Sequence, residues 1–270
     1  MQERSERTRA RLVGAAAELF DRYGYAEARL GDISRVAGVT KGALYFHFAS
    51  KQELAAAVQE SGCLLLDETV LALRRDGRPA LQSLIDTTHA LAVWATGEPV
   101  VRASFRLGRE RADGERPVLN YHLVCVAAAG RLLARAAEEG ALRRGVAEDA
   151  ARTLVAGMIA GIEAAAWSGA PYPELSSCLG EAWTLVLRAV AEEEAARGLR
   201  TAPPPGPTAD LDPAVDLHPA VDPGPTANPD PAVGPGPAVG PGPAVDPPGQ
   251  GSRAVTVSTV SASAGSLSSR

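Results

Sequence analysis

Aromatic residues are scarce in this chain: it has four Phe, five Tyr and three Trp among 270 residues, and none of them lies after residue 200. Prolines show the opposite distribution, because 16 of the 21 follow residue 200. A four-residue repeat ending in Pro-Ala-Val begins at residues 212, 218, 230, 236 and 242. A segment with so little apolar surface cannot offset the entropy of ordering. We therefore predict that residues 201–270 form a disordered, low-complexity Pro/Gly/Ala tail.

Cysteine is also rare, and the patterns of metal sites and enzymes are missing. Cys63, Cys125 and Cys178 are odd in number and far apart, with no CxxC motif and no nearby His pair. This spacing fits reduced thiols in a core better than a disulfide framework or a zinc site. The chain also has no Gly-rich phosphate loop after a strand and no cluster of His, Cys and carboxylates. We therefore predict no metal, no cofactor and no catalytic residues.

Long apolar runs and an excess of basic residues are absent as well. No uncharged apolar stretch reaches the roughly 18 residues that a membrane helix needs, and the first residues after Met1 lack the apolar segment of a signal peptide. A cytoplasmic protein without a membrane partner is expected. Excluding two Arg and six Asp after residue 200 leaves 25 basic and 26 acidic residues. Any anionic partner must therefore be held by a local patch rather than by net charge.

The sequence does show helical periodicity, from Ser5 to about residue 197. No segment alternates with a period of two, so we predict an all-α fold without a sheet. The first two helices are predicted to bury Leu12, Ala16, Leu19, Phe20 and Tyr23 before a stop at Gly24, and Ile33, Val36 and Ala37 before a stop at Gly38. The remaining helices are predicted over 40–48, from Ser50 to about Arg74, and over 80–96, 99–110, 117–139, 148–168 and 174–197.

The second and third helices have the layout of a helix-turn-helix, in which the second helix of the pair enters the major groove of DNA. Thr40 is a predicted N-cap, and Ser50 and Glu53 form a predicted capping box for the fourth helix. At about 100° per residue, Leu44 and Phe48 point inward. The opposite face carries Gly42, Ala43 and Phe46, flanked by Tyr45 and His47.

This outward face is predicted to contact DNA. Phe46 could touch a thymine methyl or a sugar edge, Gly42 permits a close backbone approach, and Lys41 and Lys51 lie at helix starts that attract phosphate. The alternative is that Phe46 and Tyr45 fill a seam against the helical body while both lysines are solvated. Before the first helix, the arginines either reach an adjacent phosphate or minor groove, or form a solvated, charge-balanced helix start; they are Arg4, Arg7, Arg9 and Arg11.

At these residues the chain resembles the TetR family of transcriptional regulators, over the whole stretch from RTRARLVGAAAELF to ASKQELAAAV. The segments TKGALYFHF, VVRASFRL (100–107) and EEGAL (138–142) are similar to the γ-butyrolactone receptors of filamentous actinobacteria. The resemblance implies an N-terminal helix-turn-helix DNA-binding domain over 6–66, with its helix-turn-helix at about 31–50. A larger helical ligand-binding and dimerisation domain follows over 67–200, and the tail over 201–270 has no counterpart.

The resemblance also assigns contacts to individual residues. It implies phosphate contacts for Thr40, Lys41, Tyr45, His47 and Lys51, and base-edge approach for Gly42, Ala43 and Phe46. Where the family has Thr or Ser at the start of the second helix, this chain has Ala28 and Arg29, so a hydroxyl cap is lost and Arg29 supplies a charged contact instead. The receptors carry a Trp early in the helix near Pro117, whereas this chain has Tyr121 or His122 at that place. In this respect the chain looks more like the pseudo-receptors, which bind antibiotics or their intermediates.

Ligand and dimer surfaces are predicted in the larger domain. A ligand pocket in a helical bundle is apolar with a few polar groups; the candidates, for which plain core packing is the alternative, are Trp94, Phe105, Tyr121, His122, Met158 and Trp167. Helices at about 148–168 and 174–197 are apolar over more than one face, which favours burial against a second copy of the chain in a homodimer.

These features predict a dimeric repressor that binds a palindromic operator and is released by a small hydrophobic signal, of γ-butyrolactone type or an antibiotic intermediate, in the control of secondary metabolism. A second hypothesis keeps the DNA-binding head but makes the chain a drug-sensing regulator of an efflux pump. A helical enzyme acting on a small molecule is the third and has the least support.

Overall fold

The computed structural model describes residues 2–75, 77–110 and 119–204. In these residues the chain forms ten helices and no strand, with one isolated antiparallel bridge between Leu142 and Ala191. The all-α prediction is therefore confirmed. The helices are α1 Gln2–Glu27, α2 Leu30–Val36, α3 Lys41–His47, α4 Lys51–Arg75, α5 Ala80–Gly97, α6 Pro99–Glu110, α7 Tyr121–Glu138, α8 Glu148–Trp167, α9 Tyr172–Val190 and α10 Glu193–Ala196.

Helices α1 to α3 form a small head around one hydrophobic core. Its fully buried side chains include Leu12, Phe20, Ile33, Leu44 and Phe48. Their spacing along each helix is that of a single apolar face, so burial of this face against the neighbouring helices supplies the main stabilisation.

Two residues predicted inside the head lie at its surface: Tyr23 is 48% exposed and Val36 is 46% exposed. At Gly24 the chain leaves helical geometry (φ 82°, ψ 172°), and this turn carries Tyr25 to within 5.9 Å of the Phe20 ring. Tyr25 therefore takes the place at the edge of the core that the periodicity assigned to Tyr23. Helix α2 has only seven residues and buries Ile33 and Ser34, so Val36 in its last turn is left uncovered.

Helices α4 and α6 both connect the head to the body. Along α4, Leu54 and Val58 belong to the head core, whereas Leu65 and Leu66 belong to the body core. Helix α4 therefore contributes to both cores. Helix α6 makes a second connection, since its buried residues belong partly to the head core and partly to the body core. Periodicity did not indicate this connection. They are Val100, Ala103 and Leu107 in the head core and Val101 and Phe105 in the body core.

The body packs α5, α7, α8 and α9 around a second core in which Trp94, Tyr121 and Trp183 are the largest buried side chains. The predicted helix over 174–197 is wrong as one element. It breaks at Ala191, because backbone bonds from Arg143 N to Val190 O and from Glu192 N to Ala141 O tie the chain to the loop after α7. The short helix α10 follows the break.

The residues after α10 fold back over α5 and form a C-terminal strap, defined here as residues 199–201. The carboxylate of Asp86, which is fully buried, accepts hydrogen bonds from Arg200 and Arg78, both at 2.9 Å. Gln82 also bonds the backbone of Arg200. The carbonyl of Thr201 lies 2.8 Å from His89 Nε2, and burial lowers the pKa of that imidazole. The strap therefore packs residues up to Thr201 against α5.

Candidate nucleic-acid interface and effector cleft

The turn between α2 and α3 has the backbone geometry that the sequence indicated. Gly38 adopts φ 62°, a left-handed conformation that favours glycine. Thr40 then caps α3, because its hydroxyl accepts a hydrogen bond from Ala43 N at 3.1 Å. Both predicted features of the turn are confirmed, and they fix the direction in which α3 leaves it.

Helix α3 presents the predicted face to solvent. Leu44 is 1% exposed and Phe48 2% exposed, whereas Phe46 is 80% exposed and Tyr45 57% exposed. Gly42 is also exposed. The alternative that Phe46 and Tyr45 fill an internal seam is thereby excluded within one subunit. An aromatic ring left this bare costs hydration free energy, which a covering partner would recover.

The basic residues beside α3 are placed differently from one another. The Lys41 side chain is exposed and passes the start of α2, within 3.5 Å of where a Cβ on Gly31 would lie. Lys51 donates to Ala26 O at 2.9 Å and lies 4.7 Å from the centre of the Tyr25 ring, and burial lowers its pKa. Lys51 thus holds the end of α1, and its contact with DNA stays a prediction.

The start of α2 lacks a side-chain cap, as the Ala28-Arg29 sequence predicted. Arg29 is the N-cap residue, its side chain makes no capping hydrogen bond, and it is exposed. His47 is half-buried and meets Phe46 edge-on, with ring centres 5.2 Å apart. These residues, with Ala43, adjoin the exposed α3 face, and their DNA contacts stay predictions.

The capping box of α4 is shifted by one residue from the predicted one. Ser50 Oγ accepts from Glu53 N at 3.1 Å as expected, but the Glu53 carboxylate accepts from Ala49 N rather than from Ser50 N. The chain enters α4 from the extended C-cap residue Phe48, which brings the Ala49 amide to the carboxylate. The cap still fixes the junction between α3 and α4.

Two arginines of α1 support the helix-turn-helix from within the head. The Arg9 guanidinium lies 5.3 Å from the centre of the Phe48 ring, and Arg11 donates to Gly38 O at 3.5 Å. Arg7 pairs with Glu3 at 3.5 Å in a solvated ion pair. Arg7 thus takes part in local charge balance and Arg9 and Arg11 brace the turn, and contact of this segment with a phosphate or the minor groove stays a prediction.

The six candidate ligand residues are placed differently from one another, and their contact with a ligand stays a prediction. Trp94 and Tyr121 are core residues; Tyr121 donates its hydroxyl to Gly62 O at 3.1 Å, and burial raises its pKa. Met158 packs against the same core. Among the described residues, Phe105 and Trp167 line a common cleft. His122 is not among the lining residues of this cleft, but its Nδ1 lies 3.3 Å from the carboxylate of Glu163, which does line the cleft.

The cleft lies between α1, α5, α6 and α8 and has a volume of about 190 Å³. Sequence reasoning missed its charged lining, which consists of Asp21, Arg102, Arg106, Arg109 and Glu163. Spacings of four and three residues place the arginines on one side of α6, but only the fold shows that α1 and α8 face that side. The cleft therefore combines an aromatic wall with charges that reach the head.

The arginines of the cleft hold α6 against the end of α1. Arg102 Nε donates to the Asp21 carboxylate at 2.9 Å, and Arg106 Nη1 donates to the Asp21 carbonyl at 2.6 Å. Glu110 accepts from Tyr25 N at 2.6 Å, just after the kink at Gly24. These bonds join the floor of the cleft to α1 of the head.

Helices α8 and α9 leave part of their apolar surface uncovered in the single chain. Their inner faces fill the body core with residues such as Val155, Ile159 and Trp183. On the outer faces, Leu154 is 46% exposed and Leu185 is 66% exposed. This uncovered surface lies on the two helices for which a dimer interface was predicted.

Neither a metal site nor a membrane span occurs in the described part of the chain. Among residues 2–75, 77–110 and 119–204 no group of His, Cys, Asp and Glu is arranged to hold a metal ion. In the same residues, no helix has the length and apolar composition that crossing a bilayer requires.

Comparison with known proteins gives a consistent set of relatives. Residues 12–58 match the family model for bacterial regulatory proteins of the tetR family. The A-factor receptor protein of Streptomyces griseus is 30% identical over 192 residues, which cover 70% of this chain and 66% of that protein.

Solved structures agree with the sequence comparison. A γ-butyrolactone receptor described as ArpA-like has 29% identity and a TM-score of 0.60, over 72% of this chain and 93% of that one. CprB of Streptomyces coelicolor, solved in complex with its biological operator sequence, has 32% identity and a TM-score of 0.60, over 72% of this chain and 94% of CprB. These relatives are regulators and receptors rather than enzymes.

Proposed function

This chain belongs to the TetR family of bacterial regulatory proteins, close to the γ-butyrolactone receptors, and we propose that it is a ligand-responsive transcriptional repressor. It binds a palindromic operator in the cytoplasm as a homodimer and is released by a small hydrophobic signal, either a γ-butyrolactone or an antibiotic intermediate. Its targets are genes of secondary metabolism. The observation that carries this proposal is the bare face of α3.

DNA binding is supported by the composition of that face. Phe46 projects at 80% exposure beside the exposed Gly42, with Lys41 at the first turn. Apolar contact with a thymine methyl and close backbone approach are ways of reading the major groove, and a lysine at a helix start attracts phosphate. The similar CprB has been solved with its operator. We assign base-edge contacts to Gly42, Ala43 and Phe46.

Phosphate contacts complete the proposed interface. We assign them to Thr40, Lys41, Tyr45 and His47 around α3, and to the flanking residues Arg29 and Lys51. Lys51 uses one N–H on Ala26 O, and an ammonium group has three donors, so it can bind phosphate while it still holds α1.

Dimerisation through α8 and α9 would place two heads on the two halves of a palindrome. The uncovered Leu154 and Leu185 supply apolar surface for that interface. A signal bound in the cleft beside Phe105 and Trp167 would act on α6 and so on α1. The difference in its affinity for the DNA-binding and released states sets how far it can shift the equilibrium between them.

Genomic footprinting of the purified full-length protein tests the proposal. We expect protection of a palindrome, with an affinity whose logarithm falls linearly with the logarithm of salt concentration, by about 0.9 per phosphate contacted. Extracts of the source organism should contain a fraction that abolishes the footprint. Absence of any protected palindrome at low salt would refute operator binding.

The predicted tail lies outside the described residues from residue 205 onward, and its role in DNA binding can be tested by truncation. Truncation after Pro204 should leave operator affinity within about twofold, as expected for a change of under about 0.5 kcal/mol. Truncation after Gly198 also removes the strap and its bonds to Asp86, Gln82 and His89, so it should lower the melting temperature. A tenfold loss of operator affinity in the protein truncated after Pro204 would show that the tail takes part in binding.

A further inference from the structure

The cleft between α1, α5, α6 and α8 has a lining rich in arginine. Arg102, Arg106 and Arg109 project into it from one side of α6, whereas Asp21 and Glu163 are the acids among its lining residues. A third carboxylate, that of Glu110, pairs with Arg106. The preference of the cleft for an anionic occupant therefore depends on the N–H donors that these pairs leave unused.

The three guanidinium groups differ in how far their own chain satisfies them. Arg106 is bonded at Nε to Glu110 and at Nη1 to the Asp21 carbonyl. Arg102 is bonded through Nε to the Asp21 carboxylate. Arg109 makes no hydrogen bond within the part of the chain that the structure describes, and its Nε lies 3.4 Å from the Glu163 carboxylate. Since each guanidinium has five N–H donors, Arg102 and Arg109 keep donors that a ligand carboxylate can accept from.

Glu163 is the ion-pair partner of Arg109, but no hydrogen bond joins them among the described residues. Its side chain is 12% exposed and stands between Arg109 and His122, whose Nδ1 lies 3.3 Å from it. The carboxylate is therefore shared between two neighbours, at distances longer than a charge-assisted hydrogen bond of about 2.7–2.9 Å. Arg109 therefore keeps N–H donors that no hydrogen bond uses among the described residues.

The wall of the cleft is aromatic. Trp167 is 58% exposed, and the guanidinium carbons of Arg109 and Arg106 lie 4.3 and 5.4 Å from its ring centre. Phe105 contributes a second aromatic side chain to the lining. A flat ring placed here would contact Trp167 and Phe105 while its substituent lies among the arginines.

The volume limits the size of the occupant. The cleft encloses about 190 Å³, whereas pockets for drug-sized ligands have about 300–1,000 Å³. A dry cavity of about 150 Å³ accommodates benzene. One aromatic ring with a short substituent therefore fits this cleft.

We infer that the cleft binds a small aromatic carboxylic acid, whose carboxylate accepts from Arg102 and Arg109 and whose ring packs on Trp167 and Phe105. The inference deepens the proposed function by selecting an anionic, aromatic antibiotic intermediate over the uncharged γ-butyrolactone as the signal in this cleft, and it rests on that function only for the effect on DNA. A cationic or neutral ring is disfavoured because it offers no carboxylate to the unused N–H donors of Arg102 and Arg109.

Binding of such an acid would reach the reading head directly. The ligand carboxylate competes with Asp21 for Arg102, and Asp21 lies on α1, where its carbonyl also holds Arg106. Breaking the bond between Arg102 and Asp21 frees α1 from one of its attachments to α6. The acid thereby favours the state in which α1 has shifted relative to the body.

Titration calorimetry of the full chain with benzoate, benzamide and benzylammonium tests the site without DNA. These probes share one ring and differ in charge. We expect saturable benzoate binding with a Kd of about 1 mM or tighter, and at least tenfold weaker binding of the other two. Equal binding of benzamide, preference for benzylammonium, or no saturation with benzoate at about 10 mM would each overturn the inference.

Variants locate the site. Arg109→Gln and Arg102→Gln should each weaken benzoate about tenfold, because each removes a charge-assisted bond. Arg131→Gln is the matched control, since Arg131 is 64% exposed and lies 3.8 Å from Asp67, away from the cleft. Unchanged benzoate affinity in both cleft variants would place the acid elsewhere.

An operator-release assay keeps the two proposals separable. If benzoate binds as expected but no operator is ever bound, the repressor function fails and the acid site stands. If the operator is bound but benzoate is not, the acid site fails and the repressor function stands.

Discussion

Replacing Lys41 and Tyr45 together with alanine is expected to weaken operator binding by about 100-fold. A hydrogen bond to a charged group contributes about 1.5–3 kcal/mol, so removing two phosphate-binding side chains costs about 3 kcal/mol or more, at about 1.4 kcal/mol per tenfold. Both side chains are exposed, Tyr45 by 57%. The fold should therefore survive the change, and the melting temperature should stay as in the unchanged protein.

The head offers a matched control for this variant. Arg22 lies 5.2 Å from the centre of the Tyr23 ring, and both are exposed on α1, outside the helix-turn-helix. Arg22→Ala/Tyr23→Ala also removes one cation and one tyrosine, yet it should change operator affinity by no more than about twofold.

Salt dependence gives a second measurement. Without the Lys41 ammonium, the protein neutralises one phosphate fewer, so the slope of log affinity against log salt should become shallower by about 0.9. The slope should be unchanged in the control. Full affinity in the Lys41→Ala/Tyr45→Ala protein would refute the assignment of α3 as the recognition helix.

Asp86→Ala is expected to lower the free energy of unfolding by about 3 kcal/mol. The Asp86 side chain is fully buried and accepts from Arg78, Gln82 and Arg200 at 2.9 Å each. Removing one partner of a buried ion pair costs about 3–5 kcal/mol. Because Arg78 and Arg200 are 36% and 32% exposed, water can reach them, and the lower end of that range applies.

Asp67→Ala is the control for Asp86→Ala. The Asp67 carboxylate lies 3.8 Å from Arg131, and both side chains are more than 60% exposed. Such surface pairs contribute about 0–1 kcal/mol, so denaturant unfolding should show little change. Equal stability of the two variants would mean that the strap does not stabilise the body through Asp86.

The sequence predicted α3 well because the information for it is local. In a short helix, the positions of Leu44 and Phe48 decide which side is buried, and Phe46 then lies opposite. The Gly38 turn and the Thr40 cap involve residues within five positions of one another. Tyr23 and Val36 were misplaced because the kink at Gly24 and the shortness of α2 change which positions are covered.

The cleft could not be predicted in the same way, because its contacts join distant parts of the chain. Arg102 and Asp21 are 81 residues apart, and Arg106 and Asp21 are 85 apart. Along the sequence the arginines of α6 read as a solvated face. Likewise, the break of the last long helix depends on the pairing of Ala191 with Leu142, which no periodicity reveals.

The participation of α6 in both cores bears on how this protein can be recombined with its relatives. Val100, Ala103 and Leu107 complete the head core, whereas Val101 and Phe105 complete the body core. A chimaera that exchanges residues 6–66 alone would set a foreign head against a native α6, with mismatched volumes along the seam. The transplantable unit is therefore discontinuous and comprises the N-terminal segment together with the head-facing side of Pro99–Glu110.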